Sequence, residues 1–399
     1  MPKIKAETKV LEGNAAVAYG VTLCRPDVIA AFPITPATSV LEYLYSFSAE
    51  GLLDAEMIEA EGENSALSAI MGASAAGART FTATSSMGLA FMFDAYLAVS
   101  GSRLPVVMPL AMREQPMPLA LASGTSDAFT VKDGGWIQIY VESCQEILDS
   151  IIMAYRLAED TDILLPVNIC YLGFYLSYLS QRVEIPAQEQ VDAFLAPLKN
   201  MQRVKLCLEE PLTFPAEIAP ADPVFAEYRY KHCAALERAK QKCDEIDREF
   251  EAAFGRSYGG QIEEYQTEDA EIILVTMEST TGTARVVVDS KRDEGLKVGL
   301  VKIRMFRPFP RERLIEALSG KKAIGVIDRH VCFGWNCGQC FIELKTLLSD
   351  LEAPVPLVGF IDGMAGADIT TEHIARAVDI IDAAAQGKPV KETTWLALE

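Results

Sequence analysis

The chain has 399 residues, half of them hydrophobic, enough for two or three ordinary domains with real cores. Its formal net charge of −20 repels nucleic acid and anionic membrane surfaces, and no apolar run reaches membrane-spanning length, so neither kind of partner is expected. The nine cysteines are scattered and the N-terminus, MPKIKAETKV, has no apolar signal core, so a reducing, cytoplasmic setting is expected.

From about residue 14 to 180, short apolar runs alternate with runs of helical period. The strand-like runs are VIAAF, TFTAT, PVVMPL, IQIYV and PVNICYL. Between them lie NAAVAYGVTLCR, NSALSAIMGASAAGA, GLAFMFDAYLAVSG and CQEILDSIIMAYRLAED. This alternation predicts βαβ units around a buried parallel sheet. Residues 182–222 are rich in proline and read as an irregular connection. A long charged amphipathic helix is predicted over 224–254, stopped by GRSYGG. A second α/β unit begins at AEIILVTM and runs to ITTEHIARAVDIIDAAAQ. The expected organisation is therefore a domain over 1–185, a linker over 186–265 and a second domain over 266–399.

Four constellations could carry chemistry. The strand VIAAF ends in a turn stiffened by Pro33 and Pro36, with Ile34 and an isolated Thr35 between them. Glu63 heads a helix of small residues that is expected to be buried; a carboxylate there would be desolvated, unless it merely complements the helix dipole at the surface. The stretch Thr84–Gly88 reads strand, Ser85-Ser86-x-Gly88, helix, which suits either a cradle for a polar ligand or an ordinary N-cap. Arg113 directly follows an apolar strand, where open α/β sheets bind ligands, although a solvated loop arginine has the same local sequence. A further run, Cys332-x4-Cys337-x2-Cys340 beside His330, has part of an iron–sulfur spacing, but no cysteine follows it and it falls in a strand–turn–helix context. With three histidines and no Walker loop, nucleophile elbow or HExxH, other enzyme classes have little material, and no metal site is expected.

Taken in order, FPITPATSVLEYL, EAEGENSALSAIMGASAAGARTFTATSSMGL, DGGWIQIYVESCQEILDSIIMAYRLAED, LLPVNICYLGFYLS, FGRSYGGQIEEYQTEDAEIILVTM and KIRMFRPFP resemble the α subunit of the 2-oxoacid:ferredoxin oxidoreductases, the pyruvate:ferredoxin oxidoreductase family. The likeness covers nearly the whole chain. It implies an α/β protein of two parallel-sheet domains: one like the pyrimidine-binding domain of thiamine diphosphate enzymes, one like the transketolase C-terminal domain. It implies oxidative decarboxylation of a 2-oxoacid on thiamine diphosphate, with coenzyme A as co-substrate. Partner subunits would hold the diphosphate and its Mg²⁺, the iron–sulfur clusters and the γ-type domain; ferredoxin or another acceptor would take the electrons. The chain has no GDG motif and no four-cysteine ferredoxin motif, which fits such a division.

By the same resemblance, Glu63 matches the glutamate that bonds N1′ of the cofactor's aminopyrimidine. Thr35 and Arg113 match substrate-binding positions. Pro33, Ile34, Ser85, Ser86 and Gly88 would contact the cofactor, and Asp127, in the segment after the arginine, is with Leu121 and Ala122 a candidate pocket-lining residue. Departures are visible. Between Arg113 and Asp127 the pyruvate-type members carry a bulky segment, whereas Leu121 and Ala122 stand at the corresponding positions here. That predicts room for a larger 2-oxoacid, aryl such as phenylglyoxylate or branched, with pyruvate as the alternative. Glu278 stands where the family usually has glycine, and DGMAGAD replaces a Gly-Gly-Arg-Asp run. A non-catalytic structural subunit, or a self-sufficient thiamine decarboxylase or transketolase, are the competing readings.

Overall fold

The structure is a computed structural model that describes residues 3–115, 118–195, 206–207, 223–350 and 353–398. Its strands run, in chain order, β1 Glu7–Glu12, β2 Val28–Ala31, β3 Glu56–Glu59, β4 Thr80–Phe81, β5 Val107–Met112, β6 Ile137–Tyr140, β7 Val167–Leu172, β8 Ser180–Ile185, β9 Ile262–Tyr265, β10 Ile272–Thr276, β11 Val298–Ile303, β12 Met305–Arg307, β13 Ala323–Asp328, β14 Leu357–Ile361 and β15 Thr393–Trp395. The apolar runs behave as parallel-sheet strands should. Every residue of β5, β6 and β7 is buried, because helices cover both faces of the sheet.

The first sheet has the order β12-β6-β7-β5-β4-β2-β3. Its strands from β2 to β7 pair in parallel. The chain leaves β2 to one side for β3 and to the other for β4, so the sheet has a switch point between β2 and β4. Crevices beyond the carboxyl ends of strands at such points are where open sheets take ligands. The second sheet, β15-β14-β13-β10-β11-β9, repeats the arrangement with its switch point between β10 and β13. Its edge strand β9 is antiparallel to β11.

Two features escape a reading by local pattern. The tail of the first unit returns as β8 and pairs antiparallel with β1, so residues 182–185 are strand rather than irregular connection. Helix Gln188–Phe194 follows; the remaining proline-rich stretch lies almost wholly outside the described residues. Second, β12 leaves the later unit and joins the first sheet beside β6. The junction is electrostatic as well. Buried Glu146 accepts from Lys302 Nζ at 2.8 Å and from Arg304 Nε at 2.9 Å, while Arg304 also donates to Ser150 Oγ at 2.7 Å. Removing one member of such a buried set costs about 3–5 kcal/mol, because the others are left charged and unpaired.

The long helix spans Pro223–Phe254. Proline suits its first turn, where an N–H would have no helical partner. Ala235, Ala239, Cys243, Ile246 and Phe250 recur every three or four residues and are buried along one stripe. Gly255 at φ +74° ends it. Among the described residues no helix is long and apolar enough to cross a membrane.

Candidate active site

The double-proline turn after β2 is held from behind. Asn14, fully buried at the head of helix Gly13–Cys24, donates to Pro36 O at 2.7 Å and to Ser39 Oγ at 2.8 Å. Tyr171 at the end of β7 donates to Asn14 Oδ1 at 2.8 Å. Local sequence gave no role to Asn14; the only trace is one amide in the alanine-rich run GNAAVAYG. Pro33 and Thr35 are exposed, Ile34 is half-buried and Pro36 buried. The turn therefore presents Thr35 outward on a fixed support.

Glu63 is buried, with 8% of its surface exposed, although it begins helix Glu63–Ala75. The helix itself is buried along one side only, since Ser68 and Gly72 are exposed; the expectation of a wholly buried helix is corrected on that point. The Glu63 side chain lies against Gly88. A Cβ added to Gly88 would sit 2.6 Å from Glu63 Oε1 and 2.5 Å from Thr84 Oγ1, so only glycine admits this approach. No hydrogen bond reaches the Glu63 carboxylate from the described residues. Ser85 occupies the N-cap position of the short helix Ser86–Phe91 but its hydroxyl caps nothing. Instead the hydroxyls of Thr84 and Ser85 are buried without a partner. Ser86 donates through its N–H to Asp127 Oδ2 at 2.9 Å and through Oγ to Glu114 O at 2.8 Å.

Arg113 is only 6% exposed, so it is no solvated loop arginine. Its Nη1 donates to Thr35 O at 2.6 Å, which brings the β5 end and the proline turn together, and its Nε is buried without a partner. Asp127, fully buried, accepts N–H groups of Arg113 at 3.0 Å, Ser86 at 2.9 Å and Ala128 at 2.8 Å. It therefore ties the two strand ends together. Burial pushes its carboxyl up to about 7 against the pull of those N–H groups. Asp127 thus acts from behind the crevice as a brace. Leu121 is half-exposed and Ala122 half-buried on the segment that pairs back on Arg113 through the Arg113–Ser123 bridge. Glu114, which sequence reasoning passed over, is raised by burial, and its Oε1 is unpartnered.

The cysteine run does something else. Cys332 and Cys337 face each other across a tight antiparallel bridge, Cys340 is buried in a helix, and among the described residues no cysteine is in a disulfide. Burial pushes the Cys332 thiol up to about 11. Among the described residues no group of three or more His, Cys, Asp or Glu is placed to hold a metal.

Residues 19–250 match the family described as pyruvate flavodoxin/ferredoxin oxidoreductase, thiamine diphosphate-binding, and residues 270–374 match pyruvate:ferredoxin oxidoreductase core domain II. The chain belongs to the pyruvate:ferredoxin oxidoreductase family. Across 98% of its length it is 42% identical to the NADH-dependent phenylglyoxylate dehydrogenase subunit alpha of Aromatoleum evansii, covering 95% of that protein. It is 43% identical to pyruvate synthase subunit PorA of Methanothermobacter thermautotrophicus, with 98% of both chains covered. Among solved structures it resembles the 2-oxoglutarate:ferredoxin oxidoreductase of Magnetococcus marinus with a TM-score of 0.69 at 21% identity, over 93% of this chain and 65% of that one. A split-gene transketolase shares the fold with a TM-score of 0.53 at 14% identity, over 92% and 97% of the two chains. The chain is thus a subunit of a 2-oxoacid oxidoreductase with the two α/β units read from its sequence.

Proposed function

We propose that the chain is the α subunit of a cytoplasmic, CoA-acylating 2-oxoacid:acceptor oxidoreductase, and that the crevice at the β2/β4 switch point is half of its thiamine diphosphate site. The observation that carries the reading is a buried carboxylate, Glu63, to which no hydrogen bond runs from the described residues, on the same side of the sheet as three buried polar groups without a partner among them: the hydroxyls of Thr84 and Ser85 and Nε of Arg113. Buried polar atoms left unpaired in a folded chain cost about 1–3 kcal/mol each, so an unused set in one crevice speaks for a ligand rather than a structural subunit. Bound thiamine diphosphate supplies the carbanion-stabilising chemistry that lets a 2-oxoacid lose CO₂. Glu63 holds the proton at N1′ of the aminopyrimidine. Pro33, Ile34, Ser85, Ser86 and Gly88 form the wall against the ring. Arg113 offers its remaining guanidinium edge to the substrate carboxylate, and Thr35, on its braced turn, offers a hydroxyl beside it.

Partner subunits complete the other half: one for the diphosphate and Mg²⁺, others for the iron–sulfur clusters and the γ-type domain that pass electrons on to ferredoxin or a similar acceptor. Coenzyme A takes the acyl group. The substrate is a 2-oxoacid larger than pyruvate, because Leu121 and Ala122 leave the space beside Arg113 to small or outward-facing side chains. The name of the Aromatoleum relative supports an aryl substrate; the names of the pyruvate synthases, at nearly the same identity, favour pyruvate as the second reading. The test is a kcat/KM series on the purified complex over pyruvate, 2-oxoisovalerate, 2-oxoglutarate and phenylglyoxylate. Each buried CH₂ is worth about 0.8 kcal/mol, so phenylglyoxylate should exceed pyruvate by at least about tenfold. Pyruvate as the best substrate would sink the size reading.

A further inference from the structure

A turn of the second sheet meets the substrate segment of the first. After β14 the chain makes a short 3-10 turn, Met364–Gly366; Gly363 just before it, and Ala365 and Gly366 within it, all have positive φ. Its base is fixed. Asp362 is 3% exposed; its Oδ1 accepts Gly363 N at 2.9 Å and its Oδ2 pairs with His373 Nδ1 at 2.7 Å. Arg329 Nη1 donates to Gly363 O at 3.0 Å. Arg329 is itself held by Glu278, Oε1 to Nε, at 3.3 Å. The tip of the turn meets Ala122: a Cβ on Gly366 would lie 2.7 Å from Ala122 Cβ and 3.4 Å from Ser123 N. On its other side the Ala122–Ser123 segment faces the strand end that carries the arginine, through the Ser123–Arg113 bridge and Glu114 N to Ala122 O at 3.5 Å.

Resting on the functional reading above, we propose that the Gly363–Gly366 turn is a positioning element for substrate selection: a wall from the second sheet that fixes how far residues 121–123 stand from Arg113, and so how large a 2-oxoacid fits. The physical argument is packing. A backbone pinned at Asp362 and Arg329 cannot yield easily, and Ala122 Cβ is no flexible side-chain end. Added volume at Gly366 therefore moves the Ala122 segment toward Arg113, whereas volume removed at Ala122 lets it relax. A shift of about 1 Å at a substrate-positioning group can cost on the order of 100-fold in rate.

The experiment is a double-mutant cycle on the assembled complex, read as the ratio of kcat/KM for phenylglyoxylate to that for pyruvate. Gly366→Ala should lower the ratio by roughly tenfold, Ala122→Gly should raise it by roughly twofold, and the double variant should return most of the loss. Gly387→Ala is the control: Gly387 has the same left-handed backbone, φ +74°, with nothing within 4 Å of an added Cβ, so it carries the strain of alanine without the contact. It should leave the ratio unchanged. Thermal midpoint and bound cofactor, measured in parallel, report structural damage, which Ala122→Gly cannot relieve. An unchanged ratio in Gly366→Ala, or a loss that Ala122→Gly does not repair, overturns the proposal. If Gly366→Ala does not assemble, an unmoved ratio in Ala122→Gly alone overturns it as well. A wild-type complex with no 2-oxoacid turnover at all would instead remove the functional reading on which the proposal rests.

Discussion

The chain contains two parallel sheets, each with a switch point, and the two crevices beyond them are finished differently. At β2/β4 the Glu63 carboxylate receives no hydrogen bond from the described residues, and Thr84 Oγ1, Ser85 Oγ and Arg113 Nε are buried without a partner among them. At β10/β13 the carboxylate is partnered instead, and only the Ser279 hydroxyl beside it is buried without a hydrogen bond among the described residues. Glu278 accepts the N–H and hydroxyl of Thr280 at 3.1 and 3.0 Å and pairs with Arg329. A carboxylate on the first N–H of helix Thr280–Asp293 takes the place an anion would need. Fold alone therefore does not make a ligand site; the larger set of unpaired polar groups at β2/β4 is what supports proposing one there. The partnered crevice serves as a fixed support, and the open one is where substrate and cofactor are expected.

Substitutions can break this contrast. Glu63→Gln should lose about 10²- to 10⁴-fold in turnover of the assembled complex, the usual worth of a positioned proton-transfer group. Steady-state assays with a viologen dye would check it. Arg113→Ala should come next, with kcat/KM down by about 100-fold and a raised KM, since a charge-assisted bond to a carboxylate is lost. Glu278→Gln should do the opposite kind of damage. Stability falls by about 3 kcal/mol as the buried pair with Arg329 is broken, read by denaturant titration, while turnover per assembled complex changes by less than about tenfold.

A pH experiment sharpens the same comparison. Each sheet buries one carboxyl that burial pushes up to about 7: Asp127 in the first, and Asp328, which accepts the N–H groups of Cys340 and Phe341, in the second. A folded carboxyl raised above its ordinary 3.8 retains a proton that the unfolded chain releases. The stability this contributes is full below that value and is lost as pH rises through about 7. Thermal midpoints should therefore fall between those limits, and Asp127→Asn and Asp328→Asn should each flatten the slope. Only Asp127→Asn should also alter the pH profile of kcat/KM. The smallest effect is expected at the cysteine run. Cys332→Ser should change turnover by less than about twofold and leave the iron content of the complex untouched.

Much of this was legible in the sequence because it is local. The strand-to-helix alternation gave both sheets, and the position of Thr35 between two prolines and of Arg113 after an apolar strand placed them on strand ends. What was hidden depends on long-range pairing. Asn14 supports the proline turn only because Tyr171, 157 residues on, orients it. The β1–β8 pair was lost because β8 borders the proline-rich stretch. Glu278 stood out as a departure, but its partner Arg329 is 51 positions away and becomes a neighbour only when β10 pairs with β13. Ser85 was visible at a helix start, yet whether its hydroxyl caps the helix or remains free is settled by geometry that no local pattern records.

The most direct measurement is hydrogen–deuterium exchange at C2 of thiamine diphosphate bound to the assembled complex, comparing wild type with Glu63→Gln. With equal cofactor content in both, exchange in the variant should be slower by at least about 100-fold, because the group that holds the N1′ proton is gone. Exchange at the wild-type rate would contradict the assignment of Glu63, and with it the claim that the open crevice is the cofactor's half-site.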